Sequence, residues 1–242
     1  MEYSEFEQEL TNNSKKINEE ITGNQAKDFY KYMLLLLEWN QKMNLTAITD
    51  EKEIMYKHFI DSISINKYIK NANNIMDVGT GAGFPGIPLK LLNKDINKDI
   101  NFILVDSLNK RINFLEEVKE QLKIEKLELI HSRVEDLAKN KTYREKIDVV
   151  VSRAVANLSV LLEYMLPFVK KEGICICMKG PNIEEELEKS KNALEVLGGK
   201  IESVEYIDLP GDLERNIIII KKVKETPAKY PRKAGIPAKQ PL

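Results

Sequence analysis

Asp77-Val78-Gly79-Thr80-Gly81-Ala82-Gly83-Phe84-Pro85-Gly86 follows directly on the apolar pair Ile75 and Met76. An apolar run ends in an acid, glycines alternate, and a proline stands where a helix can begin. This pattern predicts a strand, a tight glycine turn and a helix N-terminus. Glycine has no Cβ, so the turn can adopt positive φ and a ligand can lie against its backbone. The helix start adds free N–H groups and partial positive charge. The stretch reads as the cradle of a nucleotide-type cofactor.

Outward from the cradle, strands and helices alternate. Strands are predicted at Ile75–Gly79, Asn101–Asp106, Leu127–His131, Asp148–Ser152 and Gly173–Lys179, with helices at Pro85–Leu92, 108–122, 158–169 and Ile183–Leu197. Short apolar strands separated by helices predict an α/β fold, a parallel sheet covered on both faces. Lys200–Leu209 and Arg215–Val223 flank Pro210-Gly211-Asp212, a link so short that these two strands must be antiparallel. Before the cradle the spacing is helical. Phe29, Met33, Leu36, Leu37 and Met43 recur over Gln25–Met43, and Ile54, Phe59, Ile63 and Ile65 over Lys52–Tyr68. Residues 1–23 are polar, with Phe6, Leu10 and Ile17 as sparse apolar positions; they predict a short amphipathic helix or a loosely packed arm. The expected organisation is an N-terminal helical extension (1–72), an α/β domain (73–224) and a Pro-containing tail (225–242) that is irregular and surface-lying.

Composition excludes some classes. The 37 basic and 38 acidic residues nearly cancel, so net charge makes no case for nucleic acid. The distribution does more. Residues 221–242 carry Lys221, Lys222, Lys224, Lys229, Arg232, Lys233 and Lys239 against Glu225 alone. Such a tail is either an electrostatic footprint for phosphate or a solvated end. Cys175 and Cys177 share one face of a predicted strand and read as small buried hydrophobes rather than a disulfide or a metal pair. No apolar run approaches the ~18 residues of a membrane span and no secretory signal opens the chain, so the expectation is a soluble, cytoplasmic protein.

Two cofactor classes suit the cradle. Gly81-x-Gly83-x-x-Gly86 matches the dinucleotide fingerprint, in which a pyrophosphate rests on the helix N-terminus. Asp77 argues the other way, because a carboxylate before the turn suits a cation. S-adenosylmethionine (SAM), with its ammonium and sulfonium, is such a ligand. Asp106 ends the next strand and can accept hydrogen bonds from ribose hydroxyls in either class, or can cap the following helix. Val134 and Glu135 follow the third strand and can offer an apolar face and an acceptor to a base. Arg153 ends the fourth strand, as a site group or as the partner of one of these acids.

Six motifs in register then bring a family into view. They are Asn44-Leu45-Thr46, Lys57-His58-Phe59-Ile60-Asp61-Ser62, the cradle itself, Val105-Asp106-Ser107-Leu108-Asn109-Lys110-Arg111, Ser152-Arg153-Ala154-Val155-Ala156, and Tyr230-Pro231-Arg232-Lys233-Ala234-Gly235-Ile236-Pro237. From about residue 25 to its end, the chain resembles the bacterial 16S rRNA (guanine-N7)-methyltransferases known as RsmG or GidB. The resemblance implies a seven-stranded, Rossmann-like SAM methyltransferase fold with a C-terminal antiparallel hairpin. It implies methylation of a guanine in the 530 loop of 16S rRNA (position 527 in RNA numbering), in a 30S subunit or an assembly intermediate, with neither DNA nor membrane as partner. It places SAM contacts on Gly79, Phe84, Val134, Glu135 and Arg153, beside Asp77, Gly81, Gly83 and Asp106 from the residue reading. Val134 stands where alanine is frequent in the family, and Lys57 where arginine is. Arg232 and Lys233, with Lys229 and Lys179, are the candidate RNA contacts.

Guanine N7 carries an in-plane lone pair and no proton, so its methylation needs no general base. The expectation is therefore a site with no dedicated catalytic acid–base pair and no metal, working by alignment and charge. Ser-Arg-Ala-Val follows the fourth strand where amine methyltransferases carry an Asn-Pro-Pro-Tyr type motif, and there is no Pro-Cys pair of the cytosine-C5 kind. Other RNA sites, a small-molecule substrate and a non-catalytic ribosome-assembly role are the alternatives.

Overall fold

A computed structural model describes residues 1–94 and 99–242. Seven strands form one sheet in the order β3-β2-β1-β4-β5-β7-β6. They are β1 (Asn74–Val78), β2 (Asn101–Asp106), β3 (Leu127–His131), β4 (Ile147–Arg153), β5 (Val169–Lys179), β6 (Gly199–Leu209) and β7 (Leu213–Lys222). The first five are mutually parallel, and β7 runs antiparallel to both β5 and β6. The chain leaves β3 at one edge and returns beside β1 as β4, so the order reverses between β1 and β4. A crevice opens outside the strand C-termini at such a reversal.

Alternation along the strands divides the interior in two. Ile75, Phe102, Leu104, Val149, Val151, Ile176, Ile217 and Ile219 face one core; Met76, Val78, Ile103, Val105, Val150, Cys175, Cys177, Ile218 and Ile220 face the other. A period of two throws successive side chains to opposite faces, and both faces are covered. The cysteines are free and buried in the second core, where burial pushes both thiols up, that of Cys177 to about 12.

The first core is closed by the N-terminal helices α1 (Tyr3–Lys16) and α2 (Gly23–Met43), by the segment Glu51–Tyr68, and by α5 (Gly86–Asn93) and α6 (Asn109–Gln121). Thr22 and Gln25 form a capping box that starts α2. Residues 1–17 are a packed helix rather than an arm: Phe6 and Leu10 are fully buried, and Phe6 meets the ring of Phe59 edge-on at 6.4 Å. The helix expected over Lys52–Tyr68 is shorter and irregular. A turn of α-helix, α3 (Glu51–Ile54), widens into a π-helical stretch at Met55–Ile60, closes as α4 (Asp61–Ile63), and is followed by a 3₁₀ turn at Asn66–Tyr68.

The second core is covered by α7 (Val134–Leu137), α8 (Leu158–Met165), α9 (Glu184–Lys189) and α10 (Lys191–Leu197). Two expectations are corrected here. The helix predicted to 169 stops at Met165, because Pro167 has no N–H to continue the ladder, and β5 begins at Val169. The helix predicted over Ile183–Leu197 breaks at Ser190, whose hydroxyl donates to Leu187 O at 2.8 Å.

The tail is irregular but anchored. Arg144 donates to the carbonyls of Thr226 (2.9 Å), Pro227 (3.3 Å) and Tyr230 (2.9 Å), and Thr226 N–H donates to Glu145 at 2.8 Å. Tyr230, Pro231 and Pro237 are buried, and a last turn, α11 (Ile236–Lys239), packs near α8. No helix among the described residues is long and apolar enough to cross a membrane.

If α1 belongs to the first core, Phe6→Ala should lower unfolding free energy by about 3–5 kcal/mol in a single cooperative transition. Urea denaturation followed by circular dichroism measures this. An unchanged midpoint would show an arm that unfolds separately.

Candidate functional site

A cavity of about 810 Å³ opens at the strand C-termini, within the range of small-molecule and cofactor sites. Its floor is the glycine loop, and two buried aspartates fold that loop. Asp77 Oδ2 accepts from Thr80 Oγ1 at 2.7 Å and from Gly86 N–H at 2.9 Å, clamping the loop onto the start of α5. Asp106 Oδ2 accepts from Gly81 N–H at 2.9 Å. The loop also takes carbonyl contacts from β2, with Gly79 N–H on Val105 O at 2.9 Å, and the Tyr32 hydroxyl of α2 donates to Ala82 O. Gly81, at φ +63°, faces open space where a Cβ would meet nothing. Gly83 is different: a Cβ there would lie 2.6 Å from Ile87 and 2.7 Å from the Tyr32 hydroxyl, so its absence permits close packing beneath the loop.

This arrangement separates the two cofactor classes. A pyrophosphate needs the free N–H groups of the helix start. Here Gly86 N–H already belongs to Asp77, and that carboxylate brings negative charge under the loop. Asp77 does not line the cavity; it is fully buried, its second oxygen has no partner among the described residues, and burial pushes its pKa up to about 6. The site fits SAM and not a dinucleotide.

One half of the cavity is bordered by carboxylates. Asp106 Oδ1 accepts from Leu108 N–H at 2.9 Å, and Oδ2 also takes Arg111 at 3.1 Å, so the carboxylate caps the next turn and still borders the cavity. A carboxylate offers about four acceptor positions, and these contacts leave one open. Val134 and Glu135 open α7 and line the same half, with Arg133, Tyr164 and Gly235. Glu135 is buried, and its Oε1 accepts from Gly235 N–H at 3.3 Å.

The other half is aromatic and cationic. Phe84 stacks on His58 with centroids 4.3 Å apart, and the Arg153 guanidinium lies over the Phe84 ring at 5.2 Å. Arg153 Nη1 donates to Asp61 at 2.7 Å and to Lys57 O at 3.1 Å. Asp61 is fully buried and also receives Arg215 through Nε at 3.0 Å. Two guanidinium groups on one carboxylate leave this wall with a net positive charge. Arg153 is thus both ion pair and cavity wall. Arg153 can only donate, so His58 Nδ1, 3.3 Å from Nη2, is the acceptor and Nε2 carries the proton. Nε2–H donates to Thr46 Oγ1 at 2.9 Å, which also accepts from Ile48 N–H at 3.1 Å. The Thr46 hydroxyl hydrogen is left to donate into the cavity it lines. Burial first, and the Arg153 charge second, lower the His58 pKa to about 3, so the ring is neutral at physiological pH.

Gly79, Gly81, Phe84, Asp106, Val134, Glu135 and Arg153 are therefore brought together around the cavity, with Asp77 and Gly83 beneath its floor. Lys179 borders the cavity, but its ammonium is held by Ala156 O at 2.6 Å and Glu186 at 2.7 Å. Arg232 is turned inward onto Glu163, with Nη2–Oε2 at 2.6 Å. These two do not offer the free cations expected of RNA contacts, because nearby oxygens hold both; Lys229 and Lys233 are exposed. Asp61, Arg215, Tyr164 and Gly235 received no site role from the sequence. Only the spacing of His58 and Asp61, about one helical turn, signalled a shared face.

Comparison with known proteins resolves the ancestry. A family profile described as "GidB: rRNA small subunit methyltransferase G" matches residues 25–218. The chain belongs to that family. A ribosomal RNA small subunit methyltransferase G from Alkaliphilus oremlandii is 52% identical over 236 residues, 96% of this chain and 97% of the relative. Its counterpart from Acetivibrio thermocellus is 54% identical over 224 residues, covering 92% and 90%. Among solved structures, a SAM dependent methyltransferase from Aquifex aeolicus aligns with TM-score 0.53 at 18% identity, covering 73% of this chain and 96% of that one. TrmK from M. capricolum, in complex with S-adenosyl-homocysteine, aligns with TM-score 0.51 at 21% identity, covering 68% and 69%. At such identities these two share the fold.

Gly81→Val places a β-branched side chain at positive φ in the open cradle. Calorimetry should detect no S-adenosylhomocysteine binding to the folded variant; wild-type affinity would refute the placement. His58 makes a separate prediction. Its folded pKa lies below the unfolded value of 6.5, so between pH 6.5 and about 3 the unfolded chain binds the proton that the native state refuses. Its contribution to stability is present above pH 6.5 and lost as pH falls towards 3. His58→Asn should flatten the decline of the urea midpoint between pH 7 and 4.

Proposed function

We propose that this enzyme transfers the methyl group of SAM to N7 of a guanine in the 530 loop of 16S rRNA, position 527 in RNA numbering, within a 30S subunit or an assembly intermediate. Family membership supports the small-subunit rRNA. The observation that carries the choice of atom is the state of the cationic half. Its one neutral titratable ring, His58, has a pKa lowered to about 3 and faces Arg153 through its only free lone pair. Arg153 and Arg215 are fixed cations. No group on that wall is poised to take a proton at neutral pH, whereas attack by an exocyclic amine or a ribose hydroxyl must release one. Guanine N7 has none to lose.

When bound, SAM supplies a methyl carbon on a cationic sulfur that leaves neutral. The chain's own residues supply position. Gly79 and Gly81 let the cofactor approach the backbone. Asp106 and Glu135 accept from its nucleoside hydroxyl and amino groups, and Val134 offers the base an apolar edge. The stacked Phe84 and His58, braced by Arg153, form a rigid wall against which a planar base can align. The free Thr46 hydroxyl can donate to an acceptor on that base, such as O6. Lys229 and Lys233 are exposed cations suited to phosphate contact, which fixes register without reading sequence.

The test is to incubate the enzyme with labelled SAM and either 30S subunits or naked 16S rRNA, and to map the label by mass spectrometry of nuclease fragments. One 7-methylguanosine in the 530 loop is expected. Label on an exocyclic amine or a ribose, or none in either RNA, would overturn the reading.

A further inference from the structure

The basic tail does not trail into solvent. It returns across α8 and reaches the cavity at Gly235, just before α11. Glu163, on α8, is fully buried and accepts four contacts from one residue of the tail: Arg232 N–H at 2.7 Å and Nε at 3.0 Å on Oε1, and Nε at 3.2 Å and Nη2 at 2.6 Å on Oε2. A carboxylate gripped by the main chain and the guanidinium of one residue fixes both the place and the orientation of that residue. Three residues further on, Gly235 lines the cavity at φ +81° and donates its N–H to Glu135 Oε1 at 3.3 Å. That N–H is the one protein donor recorded for the Glu135 carboxylate among the described residues.

We propose that the segment 226–235 carries Gly235 into the wall of the cofactor site, and that Glu163 is a positioning residue that seats this segment through Arg232. The proposal rests on the reading of the cavity as a SAM site. Three residues span at most about 10 Å, so a shift of Arg232 is carried to Gly235 with little slack. Arg144 and Glu145 hold the upstream end of the segment, and Glu163 holds the end nearest the cavity. Loosening the second grip withdraws the Gly235 N–H from Glu135. The buried carboxylate then loses the donor that orients it towards the ligand. Tyr164, next to Glu163 on α8, lines the same end of the cavity, so one helix turn supports two sides of it.

The test uses full-length wild type, Arg232→Ala, Arg232→Lys and Glu163→Gln. S-adenosylhomocysteine affinity is measured by calorimetry, amide hydrogen exchange at 230–236 by mass spectrometry, and methyl transfer to 16S rRNA by steady-state kinetics. Arg232→Ala and Glu163→Gln should speed exchange in the segment and weaken S-adenosylhomocysteine about tenfold, the scale of a lost charge-assisted contact. Arg232→Lys keeps the charge without the planar fork and should fall between. KM for SAM should rise while kcat at saturating SAM stays near wild type. A folded variant with fast exchange and wild-type affinity would overturn the proposal. If Arg232→Ala does not fold, because Glu163 is left buried and unpaired, Arg232→Lys carries the same comparison. Failure of the wild type itself to bind S-adenosylhomocysteine would instead sink the cofactor reading on which the proposal stands.

Discussion

A single carboxylate oxygen organises the site. Asp77 Oδ2 takes the Thr80 hydroxyl and the Gly86 N–H together, which joins the end of β1 to the start of α5 across the glycine loop. With that oxygen in place, Gly81 must turn its open side upward, Gly83 must pack downward, and Phe84 is carried to the wall where His58 and Arg153 meet it. The same contact removes the helix-start donor that a phosphate would need. The cost is a desolvated charge, visible in the raised pKa of Asp77. The hydroxyl of Tyr32, reaching in from α2, fastens the other side of the loop. The N-terminal helices are therefore part of the cofactor cradle and do more than cover the sheet.

Charge is sorted across the cavity. Asp106 and Glu135 lie at one end, while Arg153 and Arg215 share the buried Asp61 at the other. Removing one partner from such a buried cluster typically costs about 3–5 kcal/mol. The cluster ties residues 55–63 to β4 and β7, three elements far apart along the sequence. Burial first, and the Arg153 charge second, keep His58 neutral beside it.

The sheet was legible because its central strands are short apolar runs set between helices, as burial on both faces requires, and the strand ends announce Asp77, Asp106 and Arg153 in order. A parallel sheet puts successive C-termini along one crevice, so residues read singly could be gathered into one site. Local breaks were not legible. The π-helical stretch at Met55–Ile60 keeps an apolar face that a helical period cannot distinguish from an α-helix, and the Ser190 break depends on a hydroxyl choosing a nearby carbonyl. The Asp61–Arg153–Arg215 cluster was hidden because its members lie up to 154 positions apart. The tail was misjudged for a related reason. Its composition counts cations, but only the fold shows that the Arg232 guanidinium is held by the buried Glu163 carboxylate.

The place of Gly235 has a consequence for how the enzyme comes into being. The cavity is lined by residues from Leu45 to Gly235, so its wall joins segments far apart along the chain. During synthesis, Glu163 is made well before the arginine that pairs with it. Until Arg232 arrives, the nascent chain holds a carboxylate without its partner and a cavity with one side missing. Completion of the site is therefore a late event of folding, which waits for a segment made after the whole sheet.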